Sequence, residues 1–215
     1  MAATEEKTYE FKQLEKFTLV TKAPGADGKN SLLLWSSYRG NPRITVFTGV
    51  PNDTGKGVLH AAMNPETFLI FLNMFKDIVT NQKEDKVKLE CFTLTKTSDG
   101  SRGEKIHSSD LWFGKDQRGV VWISVVSEGR PKIKFDFKVS DFHRFYKSDG
   151  NALTESEASC LQALAVIDAL RSVFLTHMGE LRPPYEPKDG ASKYPNRQAA
   201  SKPANSNAQF EDISF

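Results

Sequence analysis

One short pattern occurs twice in these 215 residues. Arg39-Gly40-x-x-x-Ile44-x-Val46 recurs as Arg118-Gly119-x-x-x-Ile123-x-Val125. A Leu-Trp pair precedes each copy, Leu34-Trp35 and Leu111-Trp112, with a loop two residues longer in the second. An apolar residue at every second place marks a half-buried strand, and Arg-Gly before it is turn chemistry, so each copy reads as a strand hairpin. Downstream, residues 63–72 (MNPETFLIFL) have a weaker echo in residues 139–146 (VSDFHRFY). The duplication predicts two pseudo-symmetric units, at about 10–82 and 86–179, each a set of strands closed by a helix. The helices would cover one sheet face and leave the other open.

The local signals agree with that plan. Residues 132–138 (KIKFDFK) alternate strictly, with Ile133, Phe135 and Phe137 on one face and Lys132, Lys134, Asp136 and Lys138 on the other. Segments 32–38, 43–49, 57–63, 86–94, 105–113 and 120–126 also read as strands, separated by turn-rich stretches such as RGNP, SDGSRG and GKDQRG. The first helix opens with Asn64 as cap and Pro65 at the first helical position, and Glu66 suits the helix dipole. Phe68, Leu69, Leu72, Phe75, Ile78 and Val79 then form its apolar stripe. The second opens on a capping box, Thr154-Glu-Ser-Glu157, and runs through Leu161, Leu164, Ile167, Leu170 and Phe174 to a stop at Gly179. The fold class expected is α+β, with antiparallel sheets in two strand-rich halves.

Beyond residue 180 the composition changes. Residues 181–209 are rich in Pro, Ser, Ala and Asn without apolar periodicity, the profile of a disordered linker. The last six residues, FEDISF, restore Phe210, Ile213 and Phe215 around Glu211 and Asp212. An apolar, acidic tip on such a tether suits capture by a basic-rimmed apolar pocket, which makes residues 210–215 a candidate partner-docking tag. The N-terminus lacks the apolar stretch of a signal peptide, and no apolar run approaches the roughly 18 residues of a membrane span. Cys91 and Cys160 have no ligand-like neighbours in sequence and read as reduced thiols. The expectation from these features is a protein of a reducing compartment, the cytoplasm.

Catalytic signals are poor. The four histidines, His60, His107, His143 and His177, show no metal-site spacing, and there is no G-x-S-x-G elbow or Cys-x-x-Cys. The stretch GVPNDTGKG fails as a phosphate loop, because Gly57 stands where Ser or Thr should meet magnesium, so it reads as a turn between strands. Neither an enzyme activity nor a metal or cofactor is expected.

Single-strand nucleic-acid binders need aromatic faces for bases and cations along the phosphates. The repeated hairpins interleave these as Trp35, Tyr38, Arg39 and Arg43 in the first copy and Trp112, Lys115, Arg118 and Trp122 in the second. Arg130, Lys132 and Lys134 follow on the next strand. If Ile44 and Val46 face the core, Arg43 and Thr45 point outward, and the repeat assigns Trp122 and Ser124 the same direction. A formal net charge of only +2 argues against duplex binding through charge alone and leaves a local patch. The plainer reading of the same residues makes the tryptophans core anchors and the charges a solvated face.

FEDISF resembles the acidic tail tip of bacterial single-stranded DNA-binding proteins and of phage replication binding proteins, with Ser214 where the bacterial tip has proline. The body resembles the Whirly and positive-coactivator type of single-strand binder, through Arg43-Ile-Thr-Val-Phe47 and the helix opening Met63-Asn64-Pro65-Glu66-Thr67-Phe68. That resemblance implies two strand-and-helix units in one chain, with DNA held on strand faces carrying Trp35, Arg43, Trp122 and Lys132. It also implies a viral or phage-type protein of replication, recombination or repair, in the host cytoplasm if viral, with replication or recombination proteins as partners of the tail. Three rivals stay open: an RNA-binding or transcription-regulating module of the same fold, a DNA-processing enzyme, and a scaffold that never touches nucleic acid. Whether the chain forms a homo-oligomer is left open as well.

Overall fold

The computed structural model describes residues 17–38, 41–81, 86–96 and 102–177. The chain divides into Met1–Pro183 and Pro184–Phe215, and every described residue lies in the first part. The linker and tail tip read from the sequence, with Phe210, Glu211, Asp212, Ile213 and Phe215, therefore lie outside the described residues, as do Arg39 and Gly40.

Four strands and a helix follow one another twice. The first run is β1 (Leu19–Lys22), β2 (Asn30–Tyr38), β3 (Asn41–Phe47), β4 (Val58–Ala62) and α1 (Pro65–Thr80). The second is β5 (Lys86–Lys96), β6 (Arg102–Lys115), β7 (Val121–Val126), β8 (Phe135–Asp136) and α2 (Glu155–His177). The strands form two antiparallel four-stranded sheets in chain order, β1-β2-β3-β4 and β5-β6-β7-β8. The class is α+β. β8 is shorter than the alternation of residues 132–138 suggests. Only Phe135 and Asp136 pair as a strand, and the Phe137 N–H extends the contact to the Val121 carbonyl.

Both helix starts follow their sequence signals. The Thr67 N–H donates to Asn64 Oδ1 at 2.7 Å, with Pro65 in the first turn. At α2 the Thr154 N–H donates to Glu157 Oε2 at 2.9 Å and the Glu157 N–H returns to Thr154 Oγ1 at 3.3 Å, a closed capping box. The echo at residues 139–146 is not helical; it forms turns, and the counterpart of α1 is α2. By length and composition alone α2 could cross a bilayer, with a mean hydropathy of 1.5 over its most apolar 18 residues, which corrects the reading that no such run exists. One face of it, through Ala163, Val166, Ile167, Leu170 and Phe174, lies in the core.

The two hairpins pair alike, but one residue out of step with their sequence alignment. In the first hairpin Leu33 pairs with Val46 and Trp35 with Ile44; in the second Leu111 pairs with Val125 and Phe113 with Ile123. Trp35 thus corresponds to Phe113, and Trp112 to Leu34. Because strand side chains alternate faces, a slip of one residue sends Trp35 inward and Trp112 outward. Gly119 accounts for the glycine of the second copy: it turns β6 into β7 at φ +78°, and a Cβ there would meet Ser156 Oγ.

The halves share one core. Phe71 and Phe75 of α1 meet Phe113 of β6 edge-on at 5.0 and 5.3 Å, Phe75 meets Phe137 at 5.5 Å, and Phe68 meets Phe174 of α2 at 5.1 Å. The free edge of β4 is likewise covered by the second half. The His60 carbonyl accepts from Ser109 Oγ at 2.6 Å, and the Val58 carbonyl from the Arg130 guanidinium at 3.4 Å. Phe113→Ala should cost roughly 3–5 kcal/mol. Chemical denaturation followed by circular dichroism and by tryptophan fluorescence should still give one coincident transition, because the first half has no core of its own to keep.

Candidate nucleic-acid interface

With both helices on the inner side, the outer faces of the sheets are open. On the second sheet, alternation places Lys86, Lys88, Glu90, Phe92 and Leu94 of β5 outward. Trp112 lies beside Lys88 and Ser124, and Trp122 beside Gly114 and Asp136. The two indoles sit on adjacent strands as diagonal neighbours, roughly 7–8 Å apart at the backbone, and both are half-buried. Gly114 has no side chain to crowd Trp122. A bulge between Cys91 and Phe92 keeps the outward phase going into the ribbon beyond β7, where Phe92 faces His107.

A lysine stands over each of these rings. Lys134 Nζ is 5.7 Å from the Trp122 centroid, Lys88 Nζ 5.9 Å from Trp112 and Lys105 Nζ 4.0 Å from Phe92, distances at which a cation is drawn to an aromatic face. Phe92, 45% exposed, is the residue the sequence reading missed, together with Lys88 and Lys105. Its signal was present: Val87, Leu89 and Cys91 are apolar on one phase of β5, and Phe92 and Leu94 then turn the other phase apolar too.

Two of the three lysines are already paired with acids. Lys88 binds Glu90 at 2.5 Å, Lys134 binds Asp116 and Asp136 at 3.1 Å each, and His107 Nε2 lies 2.7 Å from Asp110. Burial pushes the Asp116 carboxyl up. Hydrogen bonds from the Val120 N–H, Lys134 and Arg118 outweigh it and hold the group at about 2. The face is therefore aromatic and locally balanced in charge, so stacking rather than bulk attraction must supply most of any affinity. Among the described residues no three His, Cys, Asp or Glu side chains gather as a metal would require.

Several residues assigned to this surface from sequence belong to the framework instead. Trp35 is 5% exposed and its Nε1–H donates to the Phe17 carbonyl at 3.2 Å, so no base can reach its ring. Lys115 is 7% exposed and caps the C-terminus of α1, donating to the Val79 carbonyl at 2.9 Å and to that of Asn81. Arg130 forms a bidentate pair with Asp53, at 2.6 and 2.7 Å, which leaves its guanidinium committed. Asp53 lies in the β3–β4 segment that imitates a phosphate loop, where it also accepts from Thr48 Oγ1 at 2.6 Å.

The remaining assigned residues divide between the faces. Arg118 is exposed in the β6–β7 turn and pairs with Asp116 and Glu155. Lys132 is exposed, and Tyr38 pairs with Asn41 along the backbone, its side chain lying outside the described residues. Arg43 is half-buried on the outer face of the first sheet, in register with Ser36 and Ala62. Thr45 shares that face yet is 7% exposed, bracketed by Ser36 Oγ at 3.2 Å and His60 Nδ1 at 3.1 Å. Burial, then the nearby Arg43 charge, lowers the His60 pKa from its usual value. Trp112, Trp122 and Lys134 thus come together on one face, with Arg43 on another.

No known protein family, curated protein or solved structure matches this chain.

Arg130→Ala should destabilise the fold by about 3 kcal/mol, because it strands a carboxylate whose side chain is 2% exposed. The Arg130 hydrogen bond, against burial, lowers the Asp53 pKa below its ordinary 3.8. The pair's contribution is therefore full above that value and disappears as pH falls through the depressed one. Denaturation midpoints of the two proteins should converge on acidification.

Proposed function

We propose that this chain binds single-stranded DNA with little sequence preference, on the outer face of the second sheet, and performs no bond chemistry. The observation that carries this reading is the row of Trp122, Trp112 and Phe92 on one open face, each ring with a lysine above it. An exposed aromatic stacks on any base, for roughly 1–3 kcal/mol each, so such a row tolerates sequence. A face on which two of the three ring lysines are already matched by acids gives duplex little to hold. The run of four strands and a helix, twice over, agrees with the Whirly-like plan expected from the sequence, and we take the fold to be of that kind. Protection of single strands in replication, recombination or repair is the role that fits, with the acidic Phe-ended tail recruiting partner proteins, in a viral or phage-type system.

Titration with oligo-dT should quench tryptophan fluorescence to saturation, with matched duplex competing poorly. Trp112→Ala and Trp122→Ala should each weaken binding about tenfold while leaving the denaturation midpoint nearly unchanged. The plot of log affinity against log salt should be no steeper than about −2, from three cations at roughly 0.7 each. Absence of quenching and of binding at low salt would turn the reading toward a scaffold, and tighter binding of oligo-U than oligo-dT toward an RNA-binding module.

Deleting residues 210–215 should leave DNA affinity equal or higher and abolish partner capture by the full chain in pull-down. A large loss of DNA affinity would sink the tail's assigned role.

A further inference from the structure

The second half carries a segment the first lacks. Met63 and Asn64 alone separate β4 from α1, whereas residues 137–154 separate β8 from α2. This excursion is built, not slack. The His143 N–H closes a turn on the Ser140 carbonyl at 3.0 Å, the Leu153 N–H meets the Phe145 carbonyl at 2.9 Å, and Tyr146 bridges Ala152. Lys147 ties it to the start of α2 through Glu157 at 2.6 Å. Yet it holds its aromatic side chains away from the core: Phe142 is 93% exposed, Phe145 58% and Tyr146 64%.

The sequence here is Phe142-His143-Arg144-Phe145-Tyr146-Lys147, with three exposed aromatics and the cations Arg144 and Lys147 within six residues, denser than in either repeated hairpin. Two grooves adjoin it. One, of about 410 Å³, is apolar and lies between Phe145, Leu153 and Leu161. The other, of about 690 Å³, runs between β1 and the chain leaving β8, bordered by Lys138, Phe142 and the acids Asp136 and Asp141. This second groove is continuous with the proposed interface. Asp136 pairs with Trp122 across β7 and β8, and Lys134 and Lys138 flank it with contacts at 3.1 and 3.8 Å.

We infer that the excursion extends the binding path: a single strand leaving Trp122 crosses β8 beside Lys134 and Lys138 and stacks a base on Phe142, with Arg144 facing its phosphates. The inference rests on the proposed single-strand function. It follows from continuity with the aromatic face, and from exposed rings interleaved with cations at a place where burial does not use them.

The test is fluorescence anisotropy of labelled oligo-dT, about 6 and about 20 nucleotides long, with the full chain, Phe142→Ala and Trp122→Ala. A ring so exposed can be removed without touching the core. Phe142→Ala should lose about tenfold in affinity for the longer oligonucleotide and keep its affinity for the shorter one, whereas Trp122→Ala should weaken both. Unchanged long-oligonucleotide binding by Phe142→Ala, with Trp122→Ala impaired, would overturn the inference and leave the sheet interface standing. If neither substitution matters, the single-strand reading itself fails. Sedimentation without DNA covers the remaining case: a change of mass in Phe142→Ala with affinity intact would assign the loop to a second copy and overturn the inference.

Discussion

Phe71 and Phe75 project from the helix of the first half and press edge-on into Phe113 of the second. Most else depends on that contact. A four-stranded sheet has one face to bury, and α1 alone is too narrow to bury it and remain dry on its other side. By lying against both sheets and α2, α1 lets two half-cores close into one. Both helices are then committed to the interior, and the opposite sheet faces are left to solvent. An open face available to a ligand is thus a consequence of how the core closes.

The joint between the halves has a polar part as well. Ser109 and Arg130 satisfy carbonyls along β4, so this edge of the first sheet is sealed by side chains of the second half. The Arg130–Asp53 pair sits where desolvation is severe, and its geometry matters more than its charge. Breaking either member leaves the other's buried charge uncompensated, with only the Thr48 hydroxyl left on Asp53 or the Val58 carbonyl left on Arg130. Lys115 plays a similar part at the end of α1, where its ammonium replaces the missing hydrogen-bond donors of the last turn.

On the open face the balance is different. Lys88 and Lys134 keep water and have carboxylate neighbours, so each pair contributes little to stability and much to orientation. With Asp116 ionised down to about pH 2, Lys134 stays anchored near Trp122 throughout the physiological range. On the function proposed above, a row of rings with cations held above them would suit ligands that offer flat, exposed bases and would give little to a duplex, whose bases are already stacked.

How much of this was legible in the sequence divides along a physical line. Periodicity, caps and turns are local, so both helix starts and most strands could be read from the residues alone. Trp122 could be placed outward because it lies out of phase with the apolar alternation of Val121, Ile123 and Val125. What a cation or an aromatic does once there is not local. Trp35 and Trp112 follow the same Leu, yet register put one in the core and one on the surface, and register depends on a strand elsewhere in the chain. Lys115 and Arg130 carry the same charge as Lys134, but the carbonyls and carboxylate that claim them come from residues about 35 to 77 positions away. The sequence by itself determined both helices, most of the strands and which residues have the chemistry to bind, but not the short edge strand β1. Only the tertiary structure decided which of them remain free to do so, because burial and pairing are properties of neighbours brought together by folding.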